Sequence, residues 1–254
     1  MTLKPRWLTH AVLALLVAGI PLIRAEEAGA SFRVSTVHFE SGGKKIGADH
    51  YQPTTPGRHP AVIVLHGAGG TLFDGPDMRR MSSALAAAGI DVYFVHYFDR
   101  TGTWFGVDAG MQKNFGTWLQ TLRDAIKWVR SQPSADGPIG LYGYSLGGFL
   151  ALAAGSDNPD VGAIVEQAGG LWNGSERLIG RMPPLLLVHG SADRRVPFDK
   201  YATPLVSLLR RRGIHFKTHF VPGQGHVFTQ PALVEVRKDA AKFFAENLGP
   251  ERNR

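Results

Sequence analysis

The 254-residue chain contains no cysteine. This absence excludes a disulfide, a thiolate nucleophile, a cysteine-ligated metal and a lipid anchor attached through cysteine. Charged residues make up only 19% of the chain and hydrophobic residues 44%, a balance typical of a folded globular protein. The length suits one α/β domain with a sizeable core.

The sequence also lacks a basic stripe interleaved with aromatic residues, although its formal net charge is +7. Because the positive charges are scattered, we expect no nucleic-acid partner and interpret them as solvated surface. Steering of an anionic substrate by Arg194 and Arg195 is the alternative. The histidines and carboxylates do not follow a metal-binding spacing, so we expect no metal and no cofactor.

The N-terminal segment has the pattern of a secretory signal peptide. Lys4 and Arg6 precede an uncharged, mostly apolar stretch from Trp7 to Ile23, and small residues offer cleavage after Ala25 or Ala30. We therefore predict a signal peptide over residues 1–25, a domain exported to the periplasm or beyond, and no stable membrane partner once the leader is removed. An uncleaved membrane anchor is the alternative, although a stretch of about 17 residues is short for a span.

Apolar runs alternate with helical patterns along the rest of the chain. Continuous apolar runs, typical of parallel strands covered on both faces, occur at 61–65, 92–97, 139–142, 161–165 and 185–188. Flanking segments predict two early strands, a last strand and a final helix, at 32–39, 46–51, 215–221 and 233–248. This alternation predicts a mostly parallel, doubly wound sheet with helices on both faces. We expect a single domain over residues 31–249, no large lid, and a disordered tail at 250–254.

Ser145 lies at the centre of Gly143-Tyr144-Ser145-Leu146-Gly147, between an apolar run and a helical pattern. A strand, a sharp turn and a helix in this order require very small residues two positions before and two after the serine. The turn exposes the hydroxyl above the sheet and aims the first N–H groups of the helix at the same space. The pattern predicts that Ser145 is a nucleophile.

Two further side chains follow predicted strands in the order that such a nucleophile requires. Asp193 comes after the run at 185–188, and His226 comes after the last predicted strand. Because ligands of such sheets bind at the carboxyl ends of the strands, we expect Ser145, Asp193 and His226 to meet there as a catalytic triad. Taken alone, Asp193 could instead cap a helix or pair with an arginine, and His226 could be a solvated loop residue.

A loop of small residues, His66-Gly67-Ala68-Gly69-Gly70, follows the first buried run. The N–H of Ala68, with Gly69 as an alternative, is expected to form an oxyanion hole with the N–H of Leu146. We interpret His66 as structural, holding this loop by hydrogen bonds. Five residues near the site are predicted to form pocket walls, with core or surface positions as the alternative: Tyr144, Phe98, Trp104, Trp172 and Arg177.

These motifs resemble those of the α/β-hydrolase superfamily and, within it, the dienelactone hydrolase family. The resemblance is carried by four segments: 66–70, 143–148, 189–197 and 225–228. It implies the α/β-hydrolase fold and cleavage of a small-molecule carboxylic ester, or a lactone, through a Ser-His-Asp triad and an acyl-enzyme. The namesake of the family has a cysteine where this chain has Ser145, which favours general ester hydrolysis over lactone specificity.

Three alternatives remain open. A serine exopeptidase of the same fold uses the same triad, although such enzymes usually carry an extra domain that this chain has no room for. A polysaccharide-deacetylating or polyester-degrading esterase would suit an exported protein. A non-catalytic binding protein of this fold would have no need for all three triad side chains.

Overall fold

The computed structural model describes residues 31–174, 176 and 179–249. The predicted leader, both of its cleavage positions, Arg177 and the predicted tail at 250–254 lie outside the described residues. Within the described part of the chain, no helix combines the length and apolar character needed to cross a bilayer.

One eight-stranded sheet forms the centre of the molecule. Its strands are β1 (Phe32–Ser41), β2 (Lys44–Pro53), β3 (His59–Leu65), β4 (Asp91–Val95), β5 (Ala135–Tyr144), β6 (Val161–Gln167), β7 (Leu185–Gly190) and β8 (Phe216–Val221). They are ordered β1-β2-β4-β3-β5-β6-β7-β8. β2 pairs antiparallel with β1 and β4, and every other pair is parallel. The prediction of a mostly parallel sheet is confirmed.

The described residues form six α-helices, five of which cover the two faces of the sheet. They are α1 (Gly70–Phe73), α2 (Gly75–Ala87), α3 (Asp108–Arg130), α4 (Leu146–Gly155), α5 (Phe198–Arg211) and α6 (Gln230–Leu248). Short 3₁₀ turns occupy Tyr97–Arg100 and Trp172–Gly174. α3, α4 and α5 pack against one face, and α2 and α6 pack against the other. The architecture is the α/β-hydrolase fold that the motifs implied.

The continuous apolar runs exist because both faces of the parallel strands are buried. In β3, Ile63 and Leu65 point into the core under α3 and α4, whereas Val62 and Val64 point toward α2 and α6. A strand with one wet face would instead alternate between apolar and polar residues. The run at 92–97 is shorter than predicted, since β4 ends at Val95 and Tyr97 begins the first 3₁₀ turn.

Gly140 lets α6 lie close to the middle of the sheet. A Cβ built on this β5 residue would lie 2.7 Å from Leu248 Cδ1 and 2.8 Å from both Phe244 Cε1 and Val62 Cγ2. Such distances are inside van der Waals contact, so a side chain here would displace the side chains of Leu248, Phe244 and Val62.

We predict that Gly140→Ala lowers the free energy of unfolding by about 1–3 kcal/mol, because the added methyl overpacks the contact between β5 and α6. Urea denaturation monitored by circular dichroism would measure the change. Gly116→Ala is the matched control, since Gly116 is exposed in α3 and a Cβ there would meet nothing within 4 Å. It should raise the stability by about 0.5–1 kcal/mol through helix propensity. Equal effects of the two substitutions would contradict this account of Gly140.

Candidate active site

Ser145 sits in a strained turn between β5 and α4. Its φ is +52°, a left-handed value that is uncommon for a residue with a side chain. A Cβ built at Gly143 would lie 2.1 Å from the Gly147 carbonyl oxygen, and one at Gly147 would lie 2.7 Å from the His66 carbonyl oxygen. Both flanking positions therefore require glycine. Strain of this kind costs about 1–3 kcal/mol and is held by the surrounding structure.

His226 bridges Ser145 and Asp193. Its Nε2 lies 2.9 Å from Ser145 Oγ, and its Nδ1 lies 2.8 Å from Asp193 Oδ2. With Nδ1–H donating to the carboxylate, Nε2 is left as an acceptor for the serine hydroxyl. The three side chains come from the turn after β5, the loop after β7 and the loop after β8. The structure brings together the three residues that the sequence singled out.

Asp193 is buried, and its carboxylate has several partners. Oδ1 accepts the backbone N–H groups of Arg195 and Val196, each at 2.8 Å, which leaves Oδ2 for His226. His189 Nε2 lies 3.4 Å from Oδ2 but donates to the Val196 carbonyl at 2.8 Å. Burial lowers the pKa of His189, so this ring is a neutral neighbour rather than an ionic partner of Asp193.

Two hydrogen bonds join the loop that carries His226 to the loop that carries Asp193. Ala192 N–H donates to the Gln224 carbonyl at 2.9 Å, and Gly223 N–H donates to Ser191 Oγ at 2.9 Å. Gly190 permits this approach, because a Cβ there would lie 2.3 Å from the Gln224 carbonyl oxygen. Sequence reasoning missed this role of Gly190, since the contact joins segments more than thirty residues apart.

The loop at 66–70 lies against Ser145. A Cβ built at Gly67 would be 3.0 Å from Ser145 Cβ, and both Ala68 and Leu146 line the cavity that contains Ser145. Gly69 N–H is not available as an oxyanion donor, because it donates to Asp74 Oδ2 at 2.9 Å. Within the part of the chain that the structure describes, the Ala68 N–H has no acceptor. Of the two residues proposed from the sequence, Ala68 is therefore the one left free to donate.

Asp74 is a residue of the site that sequence reasoning missed. Besides holding Gly69, it lies close to Gly67, whose Cβ would be 2.8 Å from Asp74 Oδ2. Burial raises the pKa of Asp74, and hydrogen bonds from the backbone of Gly69 and Gly67 oppose that shift. In the sequence, Asp74 precedes Gly75-Pro76 and has only the signature of a helix start.

His66 is fully buried, and its ring has no hydrogen bond to Ser145. Its ring stacks on Tyr97 with centroids 4.2 Å apart, its Nδ1 lies 2.8 Å from the Gly67 carbonyl oxygen, and its own carbonyl accepts the Tyr97 hydroxyl at 2.9 Å. Burial lowers its pKa to about 3, so the ring is neutral. These contacts agree with a structural role in holding the loop.

A cavity of about 230 Å³ opens beside Ser145. Three aromatic side chains line it, namely Phe149, Trp172 and Tyr201. Trp172 is fixed by stacking on Phe115 with the ring planes only 4° apart. At the mouth, Arg195 forms an ion pair with Asp108, Nη2 to Oδ1 at 2.5 Å.

Of the other predicted wall residues, the three that the structure describes do not line this cavity. Phe98 is buried in the core, where its ring packs against Trp118 and His66. The Trp104 side chain is 77% exposed and lies on the surface. Tyr144 faces a second cavity, and its hydroxyl donates to the His226 carbonyl at 3.2 Å. Sequence periodicity could not distinguish a cavity wall from a core or surface position here, because each residue lies after a predicted buried run.

Glu166, at the end of β6, is a buried acid beneath the turn that holds Ser145. Its Oε1 accepts the Gly169 N–H and would lie 3.2 Å from a Cβ on Gly148. Burial raises its pKa to about 8, so the side chain is mostly protonated at neutral pH. Among the described residues, no group of three or more His, Cys, Asp or Glu side chains could hold a metal ion.

Known proteins share both sequence and fold with this chain. The sequence profile of the dienelactone hydrolase family matches residues 46–246. The quorum-quenching protein AidA of Acinetobacter baumannii is 29% identical over 137 residues, which cover 52% of this chain and 42% of that protein. The match thus spans less than half the length of this relative.

Two solved structures illustrate the shared fold. A dienelactone hydrolase from Anabaena variabilis is 21% identical with a TM-score of 0.68, covering 85% of this chain and 99% of that one. A dienelactone hydrolase-like promiscuous phosphotriesterase from metagenomic libraries is 20% identical with a TM-score of 0.73, covering 87% and 100%. At these identities the similarity concerns the fold alone.

The raised pKa of Glu166 predicts how stability depends on pH. Between pH 4.5 and about 8 the folded protein holds this proton more tightly than the unfolded chain, so its contribution to stability is lost as the pH rises through that window. Glu166→Gln keeps the acceptor for Gly169 and cannot ionise. The stability of the variant relative to the wild type should therefore increase from pH 5 to pH 8.5, by at most about 1.4 kcal/mol per pH unit. Urea denaturation across this range would measure it, and a constant difference would contradict the assignment.

Proposed function

The chain belongs to the dienelactone hydrolase family, and we propose that it is an exported serine hydrolase that cleaves a carboxylic ester or a lactone. The single observation that supports this most is the position of His226, within hydrogen-bond distance of both Ser145 and Asp193. A nucleophile, a base and a residue that orients the base are the parts that acyl transfer requires. The oxyanion donors are the N–H groups of Leu146 and Ala68.

Acylation begins when His226 Nε2 accepts the proton of Ser145 Oγ as that oxygen attacks the carbonyl carbon of the ester. The carbonyl oxygen becomes negatively charged and is bound by the two backbone N–H groups. His226 then delivers its Nε2 proton to the alkoxy oxygen of the substrate, the C–O bond breaks, and the alcohol leaves. One such oxyanion donor typically contributes about 10²–10³ in rate.

Deacylation repeats the same proton transfers with water. His226 Nε2 accepts a proton from the water, whose oxygen attacks the carbonyl carbon of the acyl-serine. When the intermediate collapses, Ser145 Oγ leaves and recovers its proton from His226, and the carboxylic acid is released. Asp193 keeps the Nδ1–H tautomer in place and stabilises the imidazolium that forms in both halves.

The cavity beside Ser145 supports a small, mainly apolar acyl group. Its volume of about 230 Å³ is below the range of about 300–1,000 Å³ that is usual for drug-sized ligands. Aromatic walls favour apolar or aromatic groups, and the ion pair between Arg195 and Asp108 closes one side. Export is part of the proposal on the sequence pattern of residues 1–25, which has a basic end, an apolar stretch and small residues after it.

Substitution of the nucleophile tests the mechanism. We expect Ser145→Ala to lower kcat for short p-nitrophenyl esters by about 10⁶, because the covalent route is removed. Labelling by a fluorophosphonate probe should be lost in the same variant. His219→Ala is the matched control, since His219 also pairs with a carboxylate, that of Asp239 on α6, but lies on the far side of β7 from Ser145. It should retain wild-type turnover and labelling.

Retention of ester turnover by Ser145→Ala would refute the proposed nucleophile. Faster cleavage of aminoacyl anilides than of esters by the wild type would instead favour the peptidase alternative.

Export is tested on the full-length chain produced in a Gram-negative host. We expect mature protein in the periplasm, with its N-terminus at Glu26 or Ser31 as determined by mass spectrometry. A version lacking residues 1–25 should remain in the cytoplasm and keep its esterase activity. A periplasmic or membrane-bound product that still begins at Met1 would favour the uncleaved anchor.

A further inference from the structure

Exposed apolar side chains are concentrated around the mouth of the site. Eight large hydrophobic residues are exposed among the described residues. Six of them lie in the segments that follow β3, β4 and β8, at the carboxyl edge of the sheet where Ser145 is found. These six residues, which we call the apolar rim, are Leu72, Phe73, Trp104, Phe105, Val107 and Val227.

Backbone contacts make the apolar rim continuous. Gly106 N–H donates to the Ala68 carbonyl at 2.6 Å, and a Cβ on Gly70 would lie 2.2 Å from the Trp104 carbonyl oxygen. The segment at 104–107 therefore lies directly on the segment at 68–73. Phe73 and Val227 line the same cavity, which joins the third segment to the first. Because Ala68 also lines the cavity with Ser145, the rim borders the reacting hydroxyl.

Single exposed hydrophobic residues are normal on protein surfaces, but a contiguous cluster marks a surface that binds something. The charges next to the rim indicate what it binds. Among the ionisable side chains that line either cavity, Arg195 pairs with Asp108 and Asp77 pairs with Arg80, while Asp74 accepts the Gly69 N–H and has a pKa that burial raises. The lining therefore offers no unpaired positive charge to an anionic partner, and the surface complements an uncharged, apolar one.

We propose that the apolar rim docks the enzyme onto an aggregated, uncharged ester, such as an emulsion droplet or a micelle, from which single molecules enter the cavity. The inference rests on the proposed hydrolase function and extends it to the physical state of the substrate. With the rim against the apolar phase, the mouth of the cavity faces that phase. An ester molecule then reaches Ser145 Oγ without transferring its apolar chain through water, a transfer that is unfavourable.

The test compares adsorption with turnover. The rim variant is Leu72→Ser with Phe105→Ser, two exposed residues that line neither cavity. The matched control is Val34→Ser with Val234→Ser, the two exposed hydrophobic residues outside the rim. Adsorption to emulsified tributyrin droplets is measured by centrifugation. Every protein in this measurement also carries Ser145→Ala, so that hydrolysis does not alter the droplets. Turnover of soluble p-nitrophenyl acetate is measured with Ser145 intact.

The rim variant should adsorb about tenfold or more weakly, as expected for the loss of two large apolar contacts. The control should adsorb like the parent, and all proteins should have the same kcat/KM on the soluble ester. If the Ser145→Ala parent adsorbs but the wild type turns over no ester, the hydrolase function is refuted. The apolar rim would still be shown to bind an apolar phase.

Five outcomes would overturn the docking proposal. The rim variant could adsorb as strongly as the control, or both could lose adsorption equally. The rim variant could lose soluble-ester turnover to the same extent as adsorption, which would make these residues part of the substrate pocket. Sedimentation could show a dimer that the rim substitutions disperse, so that a second copy covers the rim. Binding to vesicles of anionic lipid but not to neutral droplets would show that headgroup charge, not an apolar phase, is recognised.

Discussion

A single imidazole holds together segments that are distant in the chain, and the rest of the site is arranged around it. His226 contacts Asp193 and Ser145, which precede it by 33 and 81 residues. The contact is possible because β5, β7 and β8 run parallel and end at the same edge of the sheet. Displacing any one of these strand ends by about an ångström would break a hydrogen bond that depends on distance and angle.

Burial adjusts the charges around this imidazole. His66 and His189 have lowered pKa values and Glu166 has a raised one, so all three favour their neutral forms near pH 7. Charged forms of these groups would add competing fields close to His226 in a region of low dielectric. Their neutrality leaves two carboxylates to act on His226, that of Asp193, which it contacts, and that of Asp74.

Much of the fold could be predicted because it depends on local patterns. The apolar runs of β3 and β7 have no alternation, and that pattern alone indicates a parallel sheet covered on both faces. The glycines around Ser145 likewise indicate a sharp turn from the sequence alone. What could not be predicted depends on specific tertiary contacts that local patterns do not show: the hydrogen bond from Gly69 N–H to Asp74, the close approach of Gly190 to Gln224, and the burial of Phe98 against Trp118.

The position of α6 also constrains when the molecule can finish folding. Phe244 and Leu248 cover Gly140 at the centre of the sheet, yet they are among the final residues of the domain. While the chain emerges from a ribosome, the part of this sheet face that α6 covers stays exposed until α6 has been synthesised. The core therefore cannot be completed before synthesis reaches α6. Until then the nascent polypeptide exposes apolar surface that chaperones would recognise.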